Sequence, residues 1–213
     1  MKIRMQMLSA AVITLAVSAV GVTQAQMRDT MKPMKPMMKI DQGMVDGILA
    51  NWKALPKEVA HTTIAKYGMP QEASANRLIW INNGPWKWTE LVNEEIEHNF
   101  PKPHKDMLYQ AIAWKVDGDK FDELAKYDGS VIVERTKGEV GARCDKEEAN
   151  FLAINLAHDI VMGKRDADDA RKMYAEAMME MKHMEYTKGL RFQPPTGNQG
   201  DPDKPATGMK MPR

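Results

Sequence analysis

The sequence predicts an α+β domain: an antiparallel sheet of about five strands, helices on one face and a C-terminal helical hairpin. Three observations carry this prediction. Residues 127–163, YDGSVIVERTKGEVGARCDKEEANFLAINLAHDIVMG, read as strand, tight turn, strand and then helix. Upstream, NNGP supplies a second turn signal between two alternating apolar runs. Downstream, residues 166–185 carry another amphipathic stripe directly after the first, which makes an antiparallel helix pair.

From the start of the chain, Lys2 and Arg4 precede an uncharged apolar run over 8–22, and Thr23-Gln24-Ala25 is a small-residue cleavage site. Residues 1–25 therefore read as a secretory signal peptide cut after Ala25, and the protein as periplasmic or secreted. The run falls short of the roughly 20 apolar residues of a membrane span. No cysteine follows it, so no stable membrane anchor is expected after cleavage. Cleavage removes two of the 30 basic residues and none of the 29 acidic ones, taking the formal net charge from +1 to about −1. With no concentrated basic run, a nucleic-acid partner is not expected. Residues 26–43 combine charge and proline without periodicity and read as a disordered linker. Met31, Met34, Met37 and Met38 within it are soft thioether donors suited to Cu(I) or Ag(I).

A single domain is expected over 44–187. Val45, Ile48 and Leu49 suggest a short helix, and Pro56 suits the start of the next, which Gly68 and Pro70 end. Leu78 and Trp80 alternate with Ile79 and Ile81 in a strand, and Trp86 and Trp88 alternate with Lys87 and Thr89 on the return strand. Trp80, Trp86 and Trp88 are read either as core, because each buries large apolar area, or as an aromatic ligand platform.

Residues 94–106, EEIEHNFPKPHKD, are the densest group of polar donors. The stretch reads as a loop, with His98 and His104 as candidate ligands for a small molecule or an ion such as Zn(II). Their spacing matches no closed zinc pattern, and Pro101 and Pro103 are expected to hold the chain extended and the rings apart. A strand over 107–116 and a short helix over 119–127 follow.

In the 127–163 stretch, Lys137-Gly138 supplies the turn and Val140, Ala142 and Cys144 share one strand parity. Asp145 and Glu148 have capping-box spacing, and Gly163 suits the left-handed position that ends a helix. Asp166 is expected to cap the second helix. On it, Met179 and His183, at i and i+4, lie off the apolar stripe and are a second candidate soft-metal pair. Residues 188–213 read as a disordered tail. The stretches YDGSVIVERTKGE, ARCDKEE and NNGPWKW resemble a family of exported bacterial proteins of unknown function over about 52–175. The resemblance implies one secreted domain and brings no activity, cofactor or site residue.

Three function classes follow. The first is a non-catalytic binding module for an envelope protein or small ligand, favoured because no catalytic motif is present and no cofactor is implied. The second is a copper or silver handler using the methionines. The third is a thiol enzyme or redox protein using Cys144, the only cysteine, which has no partner for an internal disulfide. Cys144 adjoins a helix start, which favours thiolate, but its acidic neighbours oppose it.

Overall fold

The computed structural model describes residues 40–206, so the predicted leader and most of the Met/Lys/Pro linker lie outside the described residues. Helices α1 (Gln42–Leu49) and α2 (Ala54–Tyr67) come first. Strands β1 (Glu72–Ser74), β2 (Arg77–Asn83), β3 (Trp86–His98) and β4 (His104–Ala113) follow. Then come α3 (Phe121–Tyr127), β5 (Val131–Glu134), β6 (Glu139–Cys144), α4 (Glu147–Val161) and α5 (Ala167–Glu180).

The α+β class, the antiparallel sheet and the C-terminal helix pair are as expected. The sheet has six strands in the order β1-β2-β3-β4-β6-β5. The additional strand is β1, three residues paired to the start of β2. Because side chains alternate along a strand, the register places Leu78, Trp80, Thr89, Leu91, Leu108, Gln110, Ile112, Val140, Ala142 and Cys144 on one face. Two apolar clusters cover that face. Val45, Leu49 and Val59 from α1 and α2 close over Leu78, Trp80 and Leu91, while Leu152, Leu156 and Ile160 of α4 share a core with Ile112, Val140 and Ala142.

Two local devices set the geometry of β3. At the β2–β3 turn, Asn82 takes φ 52°, and the alternation shifts there, so Trp86 and Thr89 are both buried while Trp88 is half-exposed. Between Leu91 and Ile96 the pairing with β4 slips, with Leu91 opposite Leu108 but Ile96 opposite Asp106. This bulge re-aims the end of β3. It also places Asn93, whose Oδ1 accepts the Lys53 N–H at 2.9 Å where α2 begins.

Asp166 caps α5 as predicted, its Oδ1 accepting the Asp169 N–H at 2.8 Å. The capping box predicted at Asp145 and Glu148 is not formed. Lys146 occupies the N-cap position without a side-chain bond, and Asp145 turns to the Cys144 thiol instead. The first turn of α4 delivers a different carboxylate, Glu147, into the core. Its Oε1 accepts from Trp86 Nε1 at 2.6 Å, from Gln110 Nε2 at 3.3 Å and from the Tyr67 hydroxyl, and its Oε2 pairs with Lys66. Burial acts to raise its pKa, but the bonds from Lys66, Tyr67 and Trp86 outweigh burial and the net shift is downward.

The segment after Lys188, expected to be disordered, makes contacts with the domain as far as Asp203, which pairs with Arg135. Buried Asn155 donates from Nδ2 to the Tyr186 and Gly189 carbonyls, both at 2.8 Å, and accepts the Arg191 N–H at 2.7 Å. Phe192 stacks on His158 with centroids 3.9 Å apart. A tail with few apolar residues is fixed here because one buried amide satisfies two of its backbone groups and the Tyr186 carbonyl just before it.

Asn155→Ala is expected to cost about 2–4 kcal/mol in urea unfolding, because those backbone groups lose a buried partner. It should also open the chain after residue 186 to proteolysis; a nicking pattern identical to wild type would contradict this account. Glu147→Gln should cost about 1–3 kcal/mol at neutral pH, most of it from the hydrogen bonds, since Lys66 is half-exposed and its ion pair is screened. The folded pKa lies below the ordinary 4.5, so the charge stabilises above that value and ceases to as pH falls through the folded pKa. The stability gap between wild type and variant should therefore close in acid.

Candidate metal centre

The residues predicted to lie in a loop over 94–106 instead form the paired ends of β3 and β4. His98 stands directly opposite His104, with ring centroids 4.9 Å apart. The expectation that Pro101 and Pro103 hold the rings apart is thus corrected. The prolines occupy the turn between the strands, and cross-strand pairing brings the rings together. Strand alternation then places Asp106, two residues on, on the same face as His104.

Asp106 is fully buried. Its Oδ2 lies 3.1 Å from His98 Nδ1 and accepts a hydrogen bond from the Ser130 hydroxyl; its Oδ1 lies 3.0 Å from His104 Nε2. Among the described residues its carboxylate meets no lysine or arginine within ion-pair distance. Three buried side-chain oxygens lack a hydrogen-bond partner there, and Asp106 Oδ1 is the one that carries charge; the others are the amide oxygens of Asn83 and Asn150. A buried carboxylate oxygen in that state is costly unless a cation meets it.

The outer nitrogens of both rings face oxygen acceptors. His104 Nδ1 is 2.9 Å from the Lys102 carbonyl, which can only accept, so Nδ1 is the donor there, and in the neutral ring Nε2 presents its lone pair. His98 has oxygen on both sides: Nε2 is 3.5 Å from Asp128 Oδ1, while Nδ1 is 3.1 Å from Asp106 Oδ2 and 3.4 Å from the Ser130 hydroxyl, so Nδ1 offers a lone pair only in the tautomer protonated at Nε2. Asp128 is positioned by the Ser130 N–H, which donates to its Oδ1 at 2.8 Å. Burial raises the Asp128 pKa against the opposing effects of that N–H and of His98. One ring nitrogen each of His98 and His104 and a carboxylate oxygen of Asp106 lie within 4.8 Å of one another. The two nitrogens approach different oxygens of the carboxylate, His98 Nδ1 at 3.1 Å from Oδ2 and His104 Nε2 at 3.0 Å from Oδ1, separations that two ligands of one ion about 2.1 Å away could have. Carbonyl or carboxylate acceptors behind each ring are the supporting shell that orients histidine ligands on a metal.

The space beside this group is small. Pro101, Lys102, His104, Cys144, Asp145, Lys146, Tyr174 and Met178 line a cavity of about 40 Å³. That is room for about one water molecule and for no organic substrate. Phe100 closes the hairpin over α5, lying under the Arg171 guanidinium at 3.8 Å and beside Tyr174. Cys144 is 5% exposed, with Sγ 3.5 Å from His104 Nε2 and 3.5 Å from Asp145 Oδ1. Burial and the charges of Asp145 and Asp106 push its pKa well above the ordinary thiol value. His104 is therefore near enough to act as a base, but the surroundings oppose the thiolate that a cysteine enzyme needs.

The other candidates lie elsewhere. The tryptophans form no platform: Trp80 and Trp86 are core, and Trp88 lies against Tyr109 on the opposite sheet face. Trp80 Nε1 donates to the Gly68 carbonyl, and Trp86 stacks on Phe151. The Met179–His183 pair is not on one helix face. α5 ends at Glu180, Met181 and His183 are both left-handed, and His183 pairs with Glu176. Met31, Met34, Met37 and Met38 lie outside the described residues. A larger cleft of about 230 Å³ between α2 and α4 has Lys66, Gln110 and Glu147 in its walls, and these already bond one another. Asp106, Asp128 and Ser130 complete the centre. The first lies in the 94–106 stretch singled out for its polar donors, although reading that stretch as a loop concealed its strand parity with His104; the other two arrive only through packing. No family model, curated protein or solved structure matches the chain.

The native Cys144 thiol is expected to stay silent toward a bulky thiol reagent and to react on unfolding in urea. Stoichiometric reaction of the folded protein would contradict the burial described here.

Proposed function

We propose that this is an exported, non-catalytic binding protein whose ligand is a borderline transition-metal dication of the Zn(II) class, held by His98, His104 and Asp106. One observation carries the reading. Both imidazoles have an oxygen acceptor at the outer nitrogen, and one ligand atom each of His98, His104 and the buried Asp106, one of whose oxygens lacks a hydrogen-bond partner, lie within 4.8 Å of one another. Two imidazoles and one carboxylate suit Zn(II), Co(II) and Ni(II) more than Ca(II) or Mg(II), which prefer oxygen cages. The non-catalytic reading rests on the cavity: an open coordination position here has water-sized room beside it. Export rests on the leader pattern of residues 1–25, and among the described residues no helix is long and apolar enough to cross a membrane.

Titration of the purified mature chain with Zn(II) should show one ion bound per chain, with a rise in thermal stability. At a free metal concentration of a hundred times Kd the added stability is about 2.7 kcal/mol. His98→Asn and Asp106→Asn should each abolish the uptake while remaining folded by circular dichroism. No uptake by wild type, or uptake unchanged in both variants, would overturn the assignment and leave a hydrogen-bonded polar cluster. Mass spectrometry of the exported chain should find Gln26 at its N-terminus.

A further inference from the structure

His104 Nε2 has two neighbours of opposite chemical character. On one side is the Asp106 carboxylate oxygen at 3.0 Å, and on the other the Cys144 sulfur at 3.5 Å. Cys144 is outside the compact group formed by His98, His104 and Asp106, so it does not simply supply a fourth ligand to the same point. It instead lines the small cavity together with His104 and Met178. A thiol, a thioether and an imidazole around one water-sized space are the donor set that soft monovalent ions select.

We propose that this cavity is a site for a monovalent coinage-metal ion, Cu(I) or Ag(I), bound by the Cys144 thiolate, the Met178 thioether and His104 Nε2. The proposal rests on the reading of His104 as a metal ligand through Nε2. Binding is a ligand exchange without electron transfer. The Cu–S bond forms as the thiol S–H breaks, the proton leaves to solvent, and the ion's charge is neutralised by the thiolate. Tyr174 and Pro101 wall one part of the space, and Lys102, Asp145 and Lys146 also line it; its water-sized volume suits a low-coordinate ion more than a fully hydrated one. One lone pair cannot serve two ions. A soft ion on the Cys144 side and a dication on the Asp106 side therefore exclude each other, and the protein exchanges one for the other at His104. The sulfur donors thus come from β6 and α5, on either side of the cavity.

The test is an anaerobic titration of the Zn(II)-loaded mature chain with Cu(I), buffered by a chromophoric Cu(I) chelator. Released Zn(II) and the near-ultraviolet thiolate-to-Cu(I) absorption are followed together. The expected result is release of one Zn(II) as one Cu(I) gains the thiolate signature. Cys144→Ser and Met178→Leu should each weaken this Cu(I) binding, Cys144→Ser by about a hundredfold or more, since outer-shell losses alone cost 10–100-fold. Both variants should keep Zn(II), and Asp106→Asn should lose Zn(II) while keeping Cu(I). Cu(I) binding with Zn(II) retained, or binding unchanged in Cys144→Ser, would overturn the soft site and leave the dication site standing. A wild-type chain that takes up neither ion would overturn both.

Discussion

The carboxylate of Glu147 is the constraint on which the packing of this domain depends. It enters the core from the first turn of α4 and is met by Lys66 and Tyr67 of α2, Trp86 of β3 and Gln110 of β4. A charge this deeply placed is tolerable only when its lone pairs are filled, so all four donors must arrive together. Tyr67 packs against both apolar clusters, so its bond to Glu147 joins the α1–α2 half of the core to the α4–α5 half. The helices can cover one face of the sheet side by side because this charge is satisfied where they meet.

Asp106 is the counterpart of Glu147 and shows what that arrangement does not do. Both are buried carboxylates on the covered side of the sheet. Glu147 is surrounded by groups that carry protons to give: an ammonium, a phenol, an indole and an amide. Asp106 has two imidazoles, each of which also faces a second oxygen, of the Lys102 carbonyl or of Asp128, and one of its own oxygens has no hydrogen-bond partner. The first environment is closed and structural. The second is a group of two imidazoles and a carboxylate with one oxygen unpartnered, and the reading of this cluster as a metal site rests on that difference.

Much of the fold was legible from local chemistry. The turns at Gly84 and Gly138, both at positive φ, and the Asp166 cap follow from residues within a few positions of one another. The site was less so. Its two histidines were visible as donors, but Pro101 and Pro103 made residues 94–106 read as a loop and hid the strand parity that aligns His104 with Asp106. The bulge in β3 and the left-handed Asn82 each shift the alternation of side chains, and neither has an unambiguous sequence signal. Trp86 and Trp88, of one parity in the sequence, consequently differ sharply in burial. Asn155 illustrates the same limit: a polar residue on an apolar helix gives no sign that it binds a segment more than thirty residues away.

By itself the sequence determined the α+β class, the order of most elements, the positions of the hairpin turns, and a single thiol with no disulfide partner. These are set by short-range propensity, periodicity and composition, which act before any long-range contact forms. Only the tertiary structure decided the strand order, the pairing of His98 with His104, the arrival of Asp128 and Ser130 behind them, and the burial of Cys144 beside Met178. Each of these depends on which distant segments share a register or a packing surface, and that choice is made by the collective burial of the sheet face rather than by any local run of residues.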